Sequence, residues 1–215
     1  SLQDGISMET FEEWTESITA NSFSSTQNID FVPNLSNVQL KNFQLEGIRW
    51  LIAQYERGRN SILADESGLG KKLQAVSLLL YIKEHRKVNE PCLIISRLGA
   101  LEDWKKEFQN FAPQLKTIFY VGPPTARRAI RNTIIDEDIS NGKEETELDF
   151  DVLVSTPELL MLDNHLFMKI QWDTVIIDPV RFLSRKESKI YKSLQQLYTK
   201  HIVSLGDIPP TLPCL

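Results

Sequence analysis

The stretch SILADESGLGKKLQ, residues 61–74, contains the pattern that decides the fold. It begins with an apolar run, continues into a turn with two glycines, Gly68 and Gly70, and ends in an amphipathic segment. This order predicts a strand, a phosphate-binding loop and a helix, because small residues let backbone N–H groups close around phosphate oxygens at the positive end of the new helix. Lys71 stands where the lysine of such a loop reaches the outer phosphates. The stretch therefore predicts a nucleotide cradle.

The residue after that lysine departs from the loop pattern. The pattern asks for serine or threonine, whose hydroxyl holds a magnesium ion, and this chain has Lys72. An ammonium group donates hydrogen bonds, accepts none and carries a positive charge. The sequence therefore predicts a cradle that lacks the hydroxyl ligand for the metal.

Strands and helices alternate along the rest of the chain. Apolar runs predict five further strands, at residues 92–96, 115–121, 151–156, 172–178 and 201–205. Helical periodicity predicts helices at residues 38–55, 73–84, 101–111, 126–135, 157–162 and 188–198. The strand at residues 172–178 is continuously apolar, which is typical of a strand buried on both faces. We therefore predict an α/β fold with a parallel sheet and helices on both faces.

Two polar segments stand apart from this alternation. Residues 1–36 form a polar leader, and a weak helical period over residues 8–18 favours a flanking helix at the edge of the domain over a partner-docking or autoregulatory segment. Residues 136–149 are rich in acidic side chains and predict a solvated loop. The main domain is predicted at residues 37–215. The chain begins with Ser-Leu, so we expect a piece of a longer protein.

The composition is that of an ordinary globular protein, with 41% hydrophobic and 25% charged residues among 215. The formal net charge of -5 argues against strong autonomous DNA binding, because proteins that depend on nucleic-acid contact are more often basic. Cys92 and Cys214 belong to no metal-type cluster and indicate a reducing compartment. No apolar run is long enough for a membrane span, so we expect no membrane partner. These features predict a cytosolic or nuclear protein without a metal cluster.

Cationic and aromatic side chains outside the loop are interpreted as structural. Arg127, Arg128 and Arg131 fall close together on one predicted helix, which favours a solvated face over contact with a phosphate backbone. The tryptophans are expected in the core rather than as platforms for bases, and the histidines lack metal-ligand spacing. These residues are Trp50, Trp104, Trp172, His85, His165 and His201.

Four segments in order resemble the first RecA-like lobe of the Swi/Snf-type ATPases, the chromatin remodellers of helicase superfamily two. The segments are FQLEGIRWL at residues 43–51, DESGLGKK at 65–72, LIISRLGALEDWKKEF at 93–108 and DVLVSTPEL at 151–159. The chain looks most similar to the CHD, CHD-like and ISWI branch. The resemblance implies a RecA-like fold and a candidate nucleotide site for ATP or ADP. The implied site residues are Gln44, which would read the adenine edge, Gly68, Gly70, Lys71 and Asp178.

The same resemblance locates departures at positions that carry chemistry. The family has Asp-Glu-x-His after an apolar strand, and this chain has DPVR at residues 178–181. The acid that positions the attacking water is therefore replaced by Pro179, and the histidine by Arg181. The family's Thr-Gly-Thr-Pro falls at LGDI, residues 205–208, where the glycine is retained. Asp65 and Glu66 would belong to the framework of the loop rather than to the catalytic acids.

Together with Lys72, these departures predict that the chain is not an enzyme and has no catalytic or metal-binding residue. The resemblance then implies an inactive lobe that serves as a protein-interaction scaffold in a nuclear, chromatin-associated complex of remodelling or silencing type. Its partners would be proteins of that complex, with weak contact to nucleosomes or DNA. The retained site residues allow weak binding of ATP or ADP without magnesium; alternatively, the glycines serve only the turn that joins the strand to the helix. Two alternatives stay open: an active ATP-dependent DNA translocase or remodeller, and an ATP-binding switch without hydrolysis.

Overall fold

The computed structural model describes residues 33–86, 89–134, 148–183 and 185–206. The strands are β1 Ser61–Leu63, β2 Cys92–Ser96, β3 Thr117–Phe119, β4 Val152–Ser155, β5 Trp172–Asp178 and β6 Thr199–Leu205. They form one parallel sheet in the order β1-β6-β5-β2-β4-β3. The predicted α/β fold is confirmed, and β2 and β5 have the predicted bounds.

Seven helices accompany these strands within the described residues. They are α1 Asn42–Glu56, α2 Lys71–Tyr81, α3 Leu101–Phe111, α4 Pro124–Ile134, α5 Pro157–Leu162, α6 Asn164–Lys169 and α7 Lys189–Gln195. Short 3₁₀ turns lie at Leu98–Ala100 and Val180–Leu183, and a π turn at Ile82–Arg86 extends α2. In the part of the chain that the structure describes, no helix has the length and apolarity needed to cross a bilayer.

The helices cover both faces of the sheet, as the sequence predicts. Successive side chains of a strand point to opposite faces. Ile94 of β2 and Ile176 of β5 accordingly join a core with residues of α1, α2 and α3. Leu93 and Val175, their neighbours along the strands, join a second core with residues of α5, α6 and α7. This arrangement leaves the carboxyl ends of the strands as the edge where a ligand site is expected.

Some boundaries differ from the predicted ones. Helix α6 is not predicted, because six residues are too few to show a helical period. Strand β3 spans three residues rather than seven. Helix α2 begins two residues earlier than predicted, directly after Gly70. The helix predicted at residues 8–18 and most of the loop predicted at residues 136–149 lie outside the described residues.

The arginines of α4 do not form the solvated face that the sequence predicts. Arg127 is buried, and its Nε donates to Oδ2 of Asp163 at 2.9 Å. Arg131 donates to the other carboxylate oxygen at 3.2 Å, and the Tyr120 hydroxyl donates to Oδ2 at 2.8 Å. Arg128 is exposed as predicted. The prediction is wrong for two of the three arginines because a buried carboxylate requires charged partners, and helical spacing does not reveal it.

A second buried polar cluster lies near the start of β5 and β6. The ring of His201 packs edge-on against the ring of Tyr55, with centroids 5.2 Å apart. Its Nδ1 lies 3.4 Å from the hydroxyl of Thr174, which in turn lies 2.9 Å from a carboxylate oxygen of Asp173. Burial lowers the pKa of His201 to about 4. Burial also raises the pKa of Asp173, and hydrogen bonds from Thr174 and Tyr55 oppose that rise.

The neutral, buried His201 makes stability depend on pH. Its pKa is about 4 in the folded chain and 6.5 as the ordinary value, so the unfolded chain binds more protons between these pH values. The free energy of unfolding should therefore fall by up to about 3 kcal/mol from this residue as pH drops through that window. We expect His201→Gln to remove this part of the pH dependence in urea denaturation series. His165→Gln, at an exposed position, is the control; the same slope in His201→Gln as in the wild type would contradict the assignment.

Candidate nucleotide-binding site

The phosphate-binding loop connects β1 to α2 at the carboxyl end of the sheet. Gly68 and Gly70 have φ angles of 87° and 86°, in the left-handed region that favours glycine. Gly70 directly precedes the first residue of α2. A Cβ atom at Gly70 would lie 2.5 Å from Nε2 of Gln44. The backbone conformation therefore favours glycine here, and a side chain at this position would displace the amide of Gln44.

Gln44 holds the loop against α1. Its Oε1 accepts the backbone N–H of Lys41 at 3.0 Å, and its Nε2 donates to the carbonyl of Leu69 at 3.2 Å. The side chain is buried between the start of α1 and the loop. One end of its amide thus caps the start of α1, and the other supports the loop. Its role as a reader of the adenine edge stays a prediction.

Lys71 lies back over the first part of the loop. Its Nζ donates to the backbone carbonyls of Asp65 at 2.5 Å and Glu66 at 3.1 Å. The Asp65 carboxylate accepts a hydrogen bond from Nε2 of Gln74 at 2.8 Å. Asp65 and Glu66 are therefore parts of the loop framework, as predicted. The ammonium of Lys71 therefore lies against carbonyl oxygens of the loop. A bound phosphate would approach this same loop.

Lys72 makes its contacts with α3. Its Nζ lies 3.0 Å from Oδ2 of Asp103 and 5.8 Å from the centroid of the Trp104 ring. This hydrogen bond lowers the pKa of the Asp103 carboxyl. Burial raises the pKa of the nearby Glu107 carboxyl, and the charge of Lys72 opposes that rise. The extra cation of the loop is thus paired with the acidic face of α3.

Asp178 ends β5 beside the end of β2. Its register partner is Ser96, whose hydroxyl donates to Oδ2 of Asp178 at 3.2 Å. The indole Nε1 of Trp104 donates to the same oxygen at 2.9 Å. Trp104 is buried as predicted, but sequence reasoning missed its contact with Asp178. The segment WKKEF contains the signal for a helix and gives none for a partner 74 residues away.

Asp178 supplies the carboxylate that suits a magnesium ion. Mg²⁺ is usually held by one or two carboxylates together with substrate phosphates and waters, so a single acid is sufficient when the nucleotide brings the metal. Among the described residues no group of three or more His, Cys, Asp or Glu could hold a metal by itself. The donors present therefore fit a metal that arrives with phosphate and not an all-protein metal centre.

Gly206, the residue after β6, lies close to the end of β1 and to the turn that follows β5. The N–H of Gly206 donates to the carbonyl of Leu63 at 3.2 Å. A Cβ atom at Gly206 would lie 2.3 Å from Cγ1 of Val180, which explains a glycine at this position. Pro179 lies between Asp178 and the 3₁₀ turn, and Arg181 is exposed on that turn.

A parallel sheet with a phosphate-binding loop after its edge strand β1 defines a RecA-like nucleotide-binding lobe. The chain belongs to the SNF2-related domain family, which it matches over residues 43–209. It is 33% identical over 177 residues to the chromatin-remodeling ATPase INO80 of Aspergillus niger, an alignment that covers 82% of this chain and 10% of that protein. It is 35% identical over 162 residues to INO80 of Aspergillus clavatus, covering 75% of this chain and 9% of that protein. The chain thus spans about a tenth of these relatives.

Two solved structures have the same fold. The SWI2/SNF2 ATPase core of Sulfolobus solfataricus in complex with dsDNA superimposes with a TM-score of 0.67 at 24% identity, covering 83% of this chain and 34% of that one. The ATPase core domain of the same organism gives a TM-score of 0.68 at 23% identity, covering 86% and 35%. Both confirm the predicted RecA-like fold. The finer resemblance to the CHD and ISWI branch stays a prediction.

The prediction that the chain is not an enzyme is wrong. The chain belongs to an enzyme family, and the relatives it matches are named chromatin-remodeling ATPases. The prediction rested on the loss of the hydroxyl ligand at Lys72 and of the water-positioning acid at Pro179; in the structure the charge of Lys72 is paired with Asp103. The replacements at Pro179 and Arg181 leave Asp178 in place at the end of β5. A departure from a motif therefore does not by itself show that a lobe is inactive.

Two glycine variants separate backbone strain from the close approach at the loop. Gly68→Ala and Gly70→Ala both place a side chain on left-handed backbone, at a cost of about 1–2 kcal/mol. Only Gly70→Ala also brings a Cβ against Gln44, whereas nothing lies within 4 Å at Gly68. We expect Gly70→Ala to lower the free energy of unfolding by at least about 1 kcal/mol more than Gly68→Ala in urea denaturation. This difference in the free energy of unfolding should be smaller when Gln44 is also replaced by alanine. Equal losses of that free energy in Gly68→Ala and Gly70→Ala, with and without Gln44, would contradict a role for the contact.

Proposed function

We propose that this chain is the ATP-binding lobe of an ATP-dependent chromatin-remodelling enzyme. The observation that carries the proposal is the phosphate-binding loop, in which two left-handed glycines and the start of α2 are held in place by Gln44. The ligand is ATP or ADP, whose phosphates would lie against the backbone N–H groups at the start of α2, where the helix dipole favours negative charge. Gly68, Gly70, Lys71 and Asp178 form the rest of this site.

Asp178 would hold a magnesium ion that enters with the nucleotide. When bound, the metal neutralises charge on the outer phosphates. Lys71 supplies a positive charge at the start of α2 that does not depend on a metal. We therefore expect part of the affinity for ATP to persist without magnesium.

The names of the relatives support the cellular setting of the proposal. The fungal relatives are chromatin-remodeling ATPases, and one of the solved Sulfolobus cores is in complex with dsDNA. We propose that the protein acts in the nucleus, with DNA as the polymer on which it works. Proteins of a chromatin complex are its further partners. Because the net charge is -5, we propose that a local surface rather than the whole chain contacts DNA.

The proposal is tested by the DNA-stimulated ATPase activity of the intact protein. Lys71→Ala removes the ammonium that contacts the loop carbonyls. We expect it to lower turnover about 100-fold, since loss of one charge-stabilising group at a phosphoryl or acyl centre has effects of that order. Lys105→Ala, an exposed lysine on α3, is the matched control and should retain full turnover. A wild-type protein without DNA-stimulated turnover would contradict the activity, and undiminished turnover in Lys71→Ala would contradict the site.

A further inference from the structure

Two donors converge on one oxygen of Asp178. The indole Nε1 of Trp104 lies 2.9 Å from Oδ2, and the hydroxyl of Ser96 lies 3.2 Å from the same atom. Trp104 and Ser96 are both fully buried. The other oxygen, Oδ1, accepts no hydrogen bond from the described residues. The two oxygens of this carboxylate therefore have different environments.

We propose that Trp104, with Ser96, is a positioning residue that orients Asp178 toward the metal that accompanies the nucleotide. The inference rests on the proposed function, because it assigns a role within the same site. Hydrogen bonds to an ionised carboxylate are stronger than those between neutral groups and fix its plane. With Oδ2 engaged by both donors, Oδ1 is the oxygen left for the cation. Such supporting contacts typically change metal affinity by 10- to 100-fold.

The helix that provides Trp104 also controls the neighbouring positive charge. Asp103, the preceding residue on α3, binds the ammonium of Lys72 at 3.0 Å. An ion pair between Lys72 and Asp178 would compete with a divalent cation for the carboxylate. Among the described residues, the side chains that donate to the carboxylate of Asp178 are the neutral hydroxyl of Ser96 and the neutral indole of Trp104. Helix α3 therefore prepares the site through two adjacent side chains.

Comparison with Trp172 separates a purely structural role of Trp104 from a role in positioning Asp178. Both tryptophans have no exposed surface. Both indole groups donate a hydrogen bond of 2.9 Å, but Trp172 donates to the backbone carbonyl of Phe167, in the core on the other face of the sheet. Replacement of either by phenylalanine removes one indole N–H and leaves a similar cavity. Only the replacement of Trp104 changes a contact of Asp178.

The experiment measures binding of a fluorescent ATP analogue to the full chain during titration with MgCl₂. We expect Trp104→Phe to raise the magnesium concentration for half-maximal binding about tenfold. Trp172→Phe should change this magnesium concentration less than about twofold. It should lower the melting temperature by as much as Trp104→Phe does. In the absence of magnesium, the affinity of Trp104→Phe for the analogue should equal that of the wild type. Ser96→Ala removes the second donor and little volume. It should raise the magnesium concentration for half-maximal binding about threefold, which is less than the roughly 10- to 100-fold change expected when a dominant supporting contact is lost.

Each outcome decides the proposal. An equal magnesium requirement in Trp104→Phe and Trp172→Phe overturns the role of Trp104. If Trp104→Phe does not fold, Ser96→Ala decides, and a magnesium requirement equal to that of the wild type overturns the inference. A wild-type protein that binds the analogue without any effect of magnesium overturns this inference and leaves nucleotide binding intact. A wild-type protein that does not bind the analogue overturns the proposed function as well.

Discussion

Two glutamines pack against two glycines where α1 meets α2 and the phosphate-binding loop, and both glutamines also hydrogen-bond the loop. Gln44 of α1 faces Gly70, where a Cβ would lie 2.5 Å from its amide nitrogen. Gln74 of α2 faces Gly47, where a Cβ would lie 2.0 Å from its amide oxygen. Each glutamine also bonds the loop, Gln44 through the Leu69 carbonyl and Gln74 through a carboxylate of the loop framework. The two glutamines thus contact the loop near its start, at Asp65, and near its end, at Leu69.

The loop and the sheet could be predicted because their signals are local. Apolar runs and glycine spacing report on neighbouring residues, and they located β2 and β5 at their observed bounds. The contacts between distant segments could not be predicted. The indole of Trp104 meets Asp178 across 74 residues, and Arg127 meets Asp163 across 36. The sequence identifies these residues, but which residue each one contacts is determined by the tertiary fold.

The position after the loop lysine shows how context changes the meaning of a motif. In isolation, Lys72 replaces a hydroxyl ligand with a charge that repels a metal. In the structure its ammonium is paired with Asp103 and lies beside the ring of Trp104. The charge is thus partly neutralised by α3 before a nucleotide enters. The enzymatic relatives correct the expectation that the chain is not an enzyme.

The central claim is that the loop and Asp178 form one nucleotide site on the first lobe of a Swi/Snf-type ATPase. The most direct measurement is a crystal structure of the chain grown with magnesium and a non-hydrolysable ATP analogue. We predict phosphates on the N–H groups at the start of α2, Nζ of Lys71 on a phosphate oxygen, and magnesium on Oδ1 of Asp178. A nucleotide bound elsewhere, or a loop that remains closed by Lys71 on the carbonyls of Asp65 and Glu66 at saturating analogue, would contradict the claim.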